Sequence, residues 1–243
     1  MSSADIRGMF AGLPGAHGII EAALNGQGLV MTDDSARPSS AAVLAGDFLF
    51  FGGEPSEELV RRALNAENRA WIVQGSNAFL ALVQAQRSGT WSERIAFDPH
   101  RQPEDAHLTA LLANLPQGVT LVPIGAAEMA FCRKTPWAAD FVNQFTEDEY
   151  ARSGLGVLVC ADGAFVSGAS SYAAYPGGIE VEVDTAPAHR GYGYATLAAA
   201  KLILTAHQQG KIATWDAANE TSAHIAQKLG YRVTCAYQVF TTA

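Results

Sequence analysis

The sequence predicts an α/β (α+β) protein, and three observations carry the prediction. Strand-like and helix-like segments alternate through the first half of the chain. The second half holds a hairpin signal, two apolar runs joined at Asp162-Gly163. Beyond the hairpin, a valine-rich strand passes through the glycine turn "TAPAHRGYGYAT" directly into a helical stretch.

In chain order, "GLVMT" and "AAVLAGDFLFFGG" read as strands, the second ending in a glycine pair. "PSEELVRRALNAENR" sets Pro55 and Ser56 ahead of Glu57 and Glu58, acids that complement a helix dipole, so it reads as a helix. "AWIVQG" follows as a buried strand, "NAFLALVQAQR" as a helix, "RIAFDP" as a strand, and "PEDAHLTALLANLP" as a helix closed by Pro116. A strand over 119–124 leads into a mostly helical stretch containing "PWAADFVNQFTEDEYARSG". The hairpin "GLGVLVC", "ADGA", "FVSGASSYAAY" comes next, then the strand "IEVEVD" and a helix ending near Gly210. The chain finishes with a short strand "IATWDA", a helix "NETSAHIAQKL" closed by Gly230, and the strand "YRVTCAYQVF". A boundary near 117 gives two domains, 1–117 and 118–243, and the first carries no chemical motif.

Composition narrows the function classes. The 243 residues are 49% hydrophobic and 16% charged, which is globular. A net charge of −8 with no lysine or arginine cluster argues against a nucleic-acid partner or an anionic membrane surface. No uninterrupted apolar run is long enough to span a bilayer. Cys132, Cys160 and Cys235 are scattered and, with no secretory signal, imply a reducing, cytoplasmic setting with the thiols as small core residues. No His or Cys spacing suggests a metal.

Two features carry chemistry. The turn before the helix offers unpaired backbone N–H groups at a helix N-terminus, with Gly191 and Gly193 allowing close approach and Arg190 adding charge. That suits a phosphate or pyrophosphate, although a glycine turn needed only for packing looks the same. A dinucleotide fingerprint is a further reading, but its sixth position is Thr196 where glycine or alanine is required. The second feature is the alternation of Glu180, Glu182 and Asp184 with Val181, Val183 and Thr185, which puts three carboxylates on one strand face. Unpaired buried carboxylates are costly, so that face is either solvated or lines a polar cleft.

"VDTAPAHRGYGYA" resembles the acyl-CoA site of the GNAT superfamily of N-acetyltransferases, whose signature is Arg/Gln-x-x-Gly-x-Gly/Ala. Arg190, Gly193 and Ala195 occupy its fixed positions. "NETSAHIAQKLGY" is similar to the family's second block at Asn219, Lys228 and Gly230, and conservatively at Ser222 and Tyr231. "GIEVEVDT", "WDAAN" and "KLGY" are closer to the zwittermicin-resistance-like branch. The resemblance implies a mixed, mostly antiparallel central sheet with helices on both faces over 118–243, preceded by a smaller N-terminal α/β domain. That domain would complete the acceptor pocket or a homodimer contact.

It implies acetyl-CoA as cosubstrate. The backbone of Arg190, Gly191, Tyr192, Gly193, Tyr194 and Ala195 would wrap its pyrophosphate, and Val183 and Thr185 would pair with the pantetheine arm. Asn219 and Ser222 would lie near the thioester, although Asn219 also reads as a plain helix N-cap. An alkyl amine with a pKa of about 10 arrives protonated. Clustered carboxylates attract such a cation, and one of them can take its proton. Glu182 is the leading base, with Glu180 and Asp184 as substrate-holding acids. The family's usual tyrosine acid is replaced by Ala226, leaving Ser222, Tyr231 or water to protonate the thiolate. His189 and His224, which flank the two motifs, read as surface residues, Asp216 as a fourth acid and Trp215 as core. The expected activity is acetyl transfer to a primary amine of a small molecule in a ternary complex. Alternatives are a non-catalytic acyl-CoA-binding module and a nucleotide-binding oxidoreductase.

Overall fold

The computed structural model describes residues 3–243, and the chain divides into two compact units, residues 1–96 with 235–243 and residues 97–234. The architecture is mixed α/β, with two mostly antiparallel sheets flanked by helices.

The first unit opens with α1 (Ser3–Met9), which has Asp5 in its first turn, and α2 (His17–Leu24), which has no acid there. α2 begins at Ala16, which has no side chain to cap the helix, so the usual polar marker is missing. β1 (Leu29–Thr32), β2 (Ser40–Ala45) and β3 (Phe48–Gly53) form an antiparallel meander. The single strand expected over "AAVLAGDFLFFGG" is therefore a hairpin that turns at Gly46 with φ +57°. α3 (Glu57–Leu64) starts where the acids predict, with Ser56 Oγ accepting from the Leu59 N–H at 3.3 Å. β4 (Ile72–Gln74), α4 (Asn77–Gln84) and β5 (Gly89–Phe97) follow. Leu49, Phe51, Leu59, Trp71 and Phe79 are buried in one core cluster, and the cluster includes Phe240 from the far end of the chain. Phe240 reaches it because β12 (Val233–Thr242) pairs antiparallel with β4, Phe240 opposite Val73.

The second unit is the one that carries the site. α5 (Asp105–Leu112) belongs to it and packs on α8 (Tyr194–Gln208), burying Leu108. Residues 97–117, assigned to the first domain from sequence, therefore fall with the second unit, and 235–243 return to the first. β6 (Val119–Pro123), β7 (Gly156–Ala161), β8 (Ala164–Tyr175) and β9 (Gly178–Thr185) are consecutive antiparallel neighbours, with β10 (Ile212–Thr214) parallel on the edge of β9. Between β6 and β7 lie α6 (Ala126–Lys134), a 3-10 turn over Pro136–Phe141, and α7 (Glu147–Ser153) with a Thr146–Glu149 capping box. α8 covers β7, β8 and β9. Its inward face is largely alanine (Ala198, Ala199, Ala200 and Ala206, with Leu202 and Ile203), so the backbone can sit close on the sheet.

One strand expectation is corrected here. "IATWDA" breaks at Trp215 into β10 and β11 (Asp216–Ala217). β10 matches β9 only from Gly178 to Glu180, so beyond Glu180 the two strands part. α9 (Glu220–Leu229) follows β11 and ends at Gly230 with φ +110°. Of the cysteines, Cys132 is buried, Cys160 half-buried and Cys235 exposed, so Cys235 is not the core thiol expected.

Candidate active site

The parting of β9 and β10 leaves one edge of β9 open from Val181 to Thr185. Which backbone groups face it follows from alternation. The Gly177 carbonyl accepts from the Ile212 N–H on the β10 side, and the Ala186 N–H donates to the Val166 carbonyl on the β8 side. Odd-numbered backbone groups of β9 therefore face the open edge, and these include Val181 and Val183. Thr185 shares their parity but is already engaged. Its N–H donates to Asp184 Oδ1 at 2.6 Å and its carbonyl accepts from Arg190 Nε at 3.2 Å.

The open edge runs into a cleft of about 490 Å³. Val183, Asp184 and Thr185 supply its strand wall, and Arg190, Gly191, Gly193, Tyr194 and Ala195 its floor. Asn219 and Ser222, at the start of α9, supply the opposite side. Ten of the residues expected to bind or react thus share one cleft. Tyr192, Glu180 and Glu182 do not line it; Tyr192 is 68% exposed, and its ring stacks on Tyr194.

The floor has the features of an anion site. Gly191 and Gly193 have φ of +86° and +80°, so the turn curls its N–H groups to one side. α8 starts at Gly193 with no side-chain cap. Among the described residues, no N–H from Arg190 to Ala195 donates to a backbone carbonyl. A Cβ at either glycine would meet nothing within 4 Å, so the space in front of the turn is open. The Arg190 guanidinium is 3.4 Å from Asp184 Oδ1, an exposed pair that contributes little stability and orients the arginine beside the turn.

The three acids are not equivalent. Asp184 reaches the cleft wall, but its carboxylate is committed to the Thr185 N–H and Arg190. Glu180 is 4% exposed and accepts from the Thr214 hydroxyl, a partner from the neighbouring strand. Glu182 is half-buried, opposite Ser170 on β8.

On α9, Asn219 caps the helix, its Oδ1 accepting from the Ser222 N–H at 2.9 Å, so the capping reading holds and the residue also borders the cleft. Trp215 Nε1 donates to Ser222 Oγ at 3.1 Å, which leaves the serine's own hydroxyl hydrogen available to a ligand. Tyr231 is otherwise occupied: its hydroxyl donates to the Ala213 carbonyl at 2.7 Å, and burial first, then the Glu180 charge, hold its pKa well above the usual phenol value. Tyr231 is thereby removed as the thiolate acid, and Ala226 is wholly buried.

Thr221 and Ile225, which sequence reading missed, also line the cleft, as does Lys228, which it singled out as a motif match without a role. They recur at helical spacing, i, i+4, i+7, and that periodicity could have found them. His189 and His224, expected on the surface, border the cleft as well, and His189 Nδ1 is buried without a hydrogen-bond partner among the described residues. No group of three or more His, Cys, Asp or Glu able to hold a metal occurs among the described residues, and none of their helices is long and apolar enough to cross a membrane.

Comparison with known proteins points one way. The family model described as GNAT acetyltransferase matches residues 9–240. The chain is 32% identical to a GCN5-related N-acetyltransferase-like protein from Streptococcus suis, with 99% of this chain and 98% of that one covered and a TM-score of 0.88. It shares its fold with a GCN5-related N-acetyltransferase from Kribbella flavida at 21% identity and a TM-score of 0.55, over 83% of this chain and 86% of that one. The same holds for a putative GNAT-family acetyltransferase from Novosphingobium aromaticivorans at 15% identity and a TM-score of 0.54, over 86% and 89%. No curated protein matches the chain.

Proposed function

Because the chain belongs to the GNAT acetyltransferase family, we propose that it is an acetyl-CoA-dependent N-acetyltransferase acting on a primary amine of a small molecule by direct transfer in a ternary complex. One observation carries the proposal: the open edge of β9 ends in a turn whose N–H groups, from Arg190 to Ala195, have no carbonyl partner among the described residues. An extended amide arm fits the first part and a pyrophosphate the second. The buried, unpartnered His189 Nδ1 in the wall of the same cleft also fits a site that expects a polar ligand.

Acetyl-CoA supplies the activated acetyl thioester. The chain's residues do the rest. Val183 presents its backbone to the arm, and Thr185, already bonded to Asp184 and Arg190, fixes the turn. Arg190 and the N-terminus of α8 balance the phosphate charge. Glu182 takes the proton from the incoming ammonium, directly or through a water, a role worth about 10²–10⁴-fold in rate. Ser222, with its hydroxyl hydrogen available, donates to the developing negative charge at the thioester end.

A second reading, an acyl-CoA-binding module without activity, is favoured by Ala226 in the tyrosine slot and by Tyr231 being spent on Ala213. A panel of amines assayed for CoA release separates the two. The enzyme reading expects turnover with at least one amine, and a drop of about 10²–10⁴-fold in kcat for Glu182→Gln with CoA affinity unchanged. CoA binding with no turnover on any amine favours the module, and an unchanged rate in Glu182→Gln removes that residue as base.

A further inference from the structure

The glycine turn positions two side chains that the pyrophosphate role does not use. Gly191 and Gly193, both left-handed, bracket Tyr192 and hold it out of the cleft. The rings of Tyr192 and Tyr194 are 5.7 Å apart and 13° from parallel. Tyr194 borders the cleft, while Tyr192 is 68% exposed, more than any other large apolar or aromatic residue described as exposed. A core-packing role is excluded by that exposure. Stacking Tyr192, which lies between the two glycines, on Tyr194 at the first position of α8 also orders a side chain that water would otherwise leave free.

We propose that the Tyr192–Tyr194 stack is a platform for the adenine of CoA, the purine extending the two-ring stack as a third. This rests on the acetyl-CoA reading above and deepens it. A pyrophosphate held by the N–H groups of residues 190–195 carries its adenine one ribose away from the same turn. A planar, electron-poor purine is the part of that ligand with an aromatic face to offer, and base–aromatic stacking tolerates the shallow, wet position Tyr192 occupies. The Tyr192 side chain then sets preference for a nucleotide-bearing acyl donor over a bare phosphopantetheine one.

Calorimetric titration of the full chain with CoA, dephospho-CoA and 4′-phosphopantetheine tests it. Tyr192→Ala is expected to weaken CoA and dephospho-CoA alike by about 5- to 150-fold and to leave phosphopantetheine unchanged, while Tyr192→Phe and Tyr192→Trp bind CoA as the wild type does. Equal weakening of all three ligands, or no change in CoA affinity, overturns the platform and leaves the acetyl-CoA reading standing. A loss seen with CoA and absent with dephospho-CoA assigns the contact to the 3′-phosphate and overturns it too. A wild-type chain that binds none of the three overturns both.

Discussion

Asp184 and Glu182 sit two positions apart on β9 and are expected to fail in different ways when neutralised. Asp184→Asn removes the negative charge that faces Arg190 and leaves only a weaker amide oxygen to accept from the Thr185 N–H, so the turn loosens. The expected result is a several-fold rise in the CoA dissociation constant with kcat nearly preserved, read by calorimetry beside steady-state kinetics; a kcat loss matching that of Glu182→Gln would contradict it. At this scale the sequence disclosed what a single residue needs from its own backbone. Gly191 and Gly193 were readable because a strand turning into a helix requires left-handed positions. The fates of Glu180 and Tyr231 were not, because Thr214 and the Ala213 carbonyl reach them from another strand.

The start of α9 is where cap and cleft meet. Asn219→Ala deletes the bond to the Ser222 N–H and should cost about 1 kcal/mol of unfolding free energy, since a missing N-cap leaves a helix donor unmet. Because Ser222 sits at the cleft, the same variant should raise the KM for acetyl-CoA, while Asn219→Asp or Asn219→Ser restores both stability and KM. Elements announced by local chemistry, such as α3 behind Ser56 and the hairpin at Asp162-Gly163, were legible in sequence. α2 was not, since Ala16 offers no cap. The break between β10 and β11 was invisible because nothing local marks it: the strands part where the ladder to β9 stops.

At the scale of the whole molecule, acid and chain continuity set the limits of stability. Burial pushes the Asp33 pKa up, but hydrogen bonds from the Ser39 hydroxyl and from the Ser40 and Ser39 N–H groups outweigh it and hold the pKa at about 2, below the ordinary 3.8. A carboxyl with a depressed folded pKa stabilises the fold above its unfolded value and stops doing so as pH falls through its folded one. Denaturation midpoints of wild type and Asp33→Asn should therefore differ at pH 5 and converge between about pH 4 and pH 2; a constant gap would refute this. Removing residues 235–243 takes Phe240 from the first core, and with it the Thr242 bonds to Trp71: the Trp71 N–H to Thr242 Oγ1 at 2.9 Å and the Thr242 N–H to the Trp71 carbonyl at 3.0 Å. Limited proteolysis of that truncation should cut within residues 1–96 while the intact chain resists, and equal resistance would show the strand to be dispensable.

That same strand has a consequence during synthesis. A ribosome makes residues 97–234 between the two parts of the first unit. At about 5–20 residues per second, roughly 7 to 28 seconds pass in which β4 waits with an open ladder edge beside Phe51 and Trp71. For that interval the nascent chain presents an unpaired apolar strand edge, the kind of surface that invites pairing with a neighbouring chain.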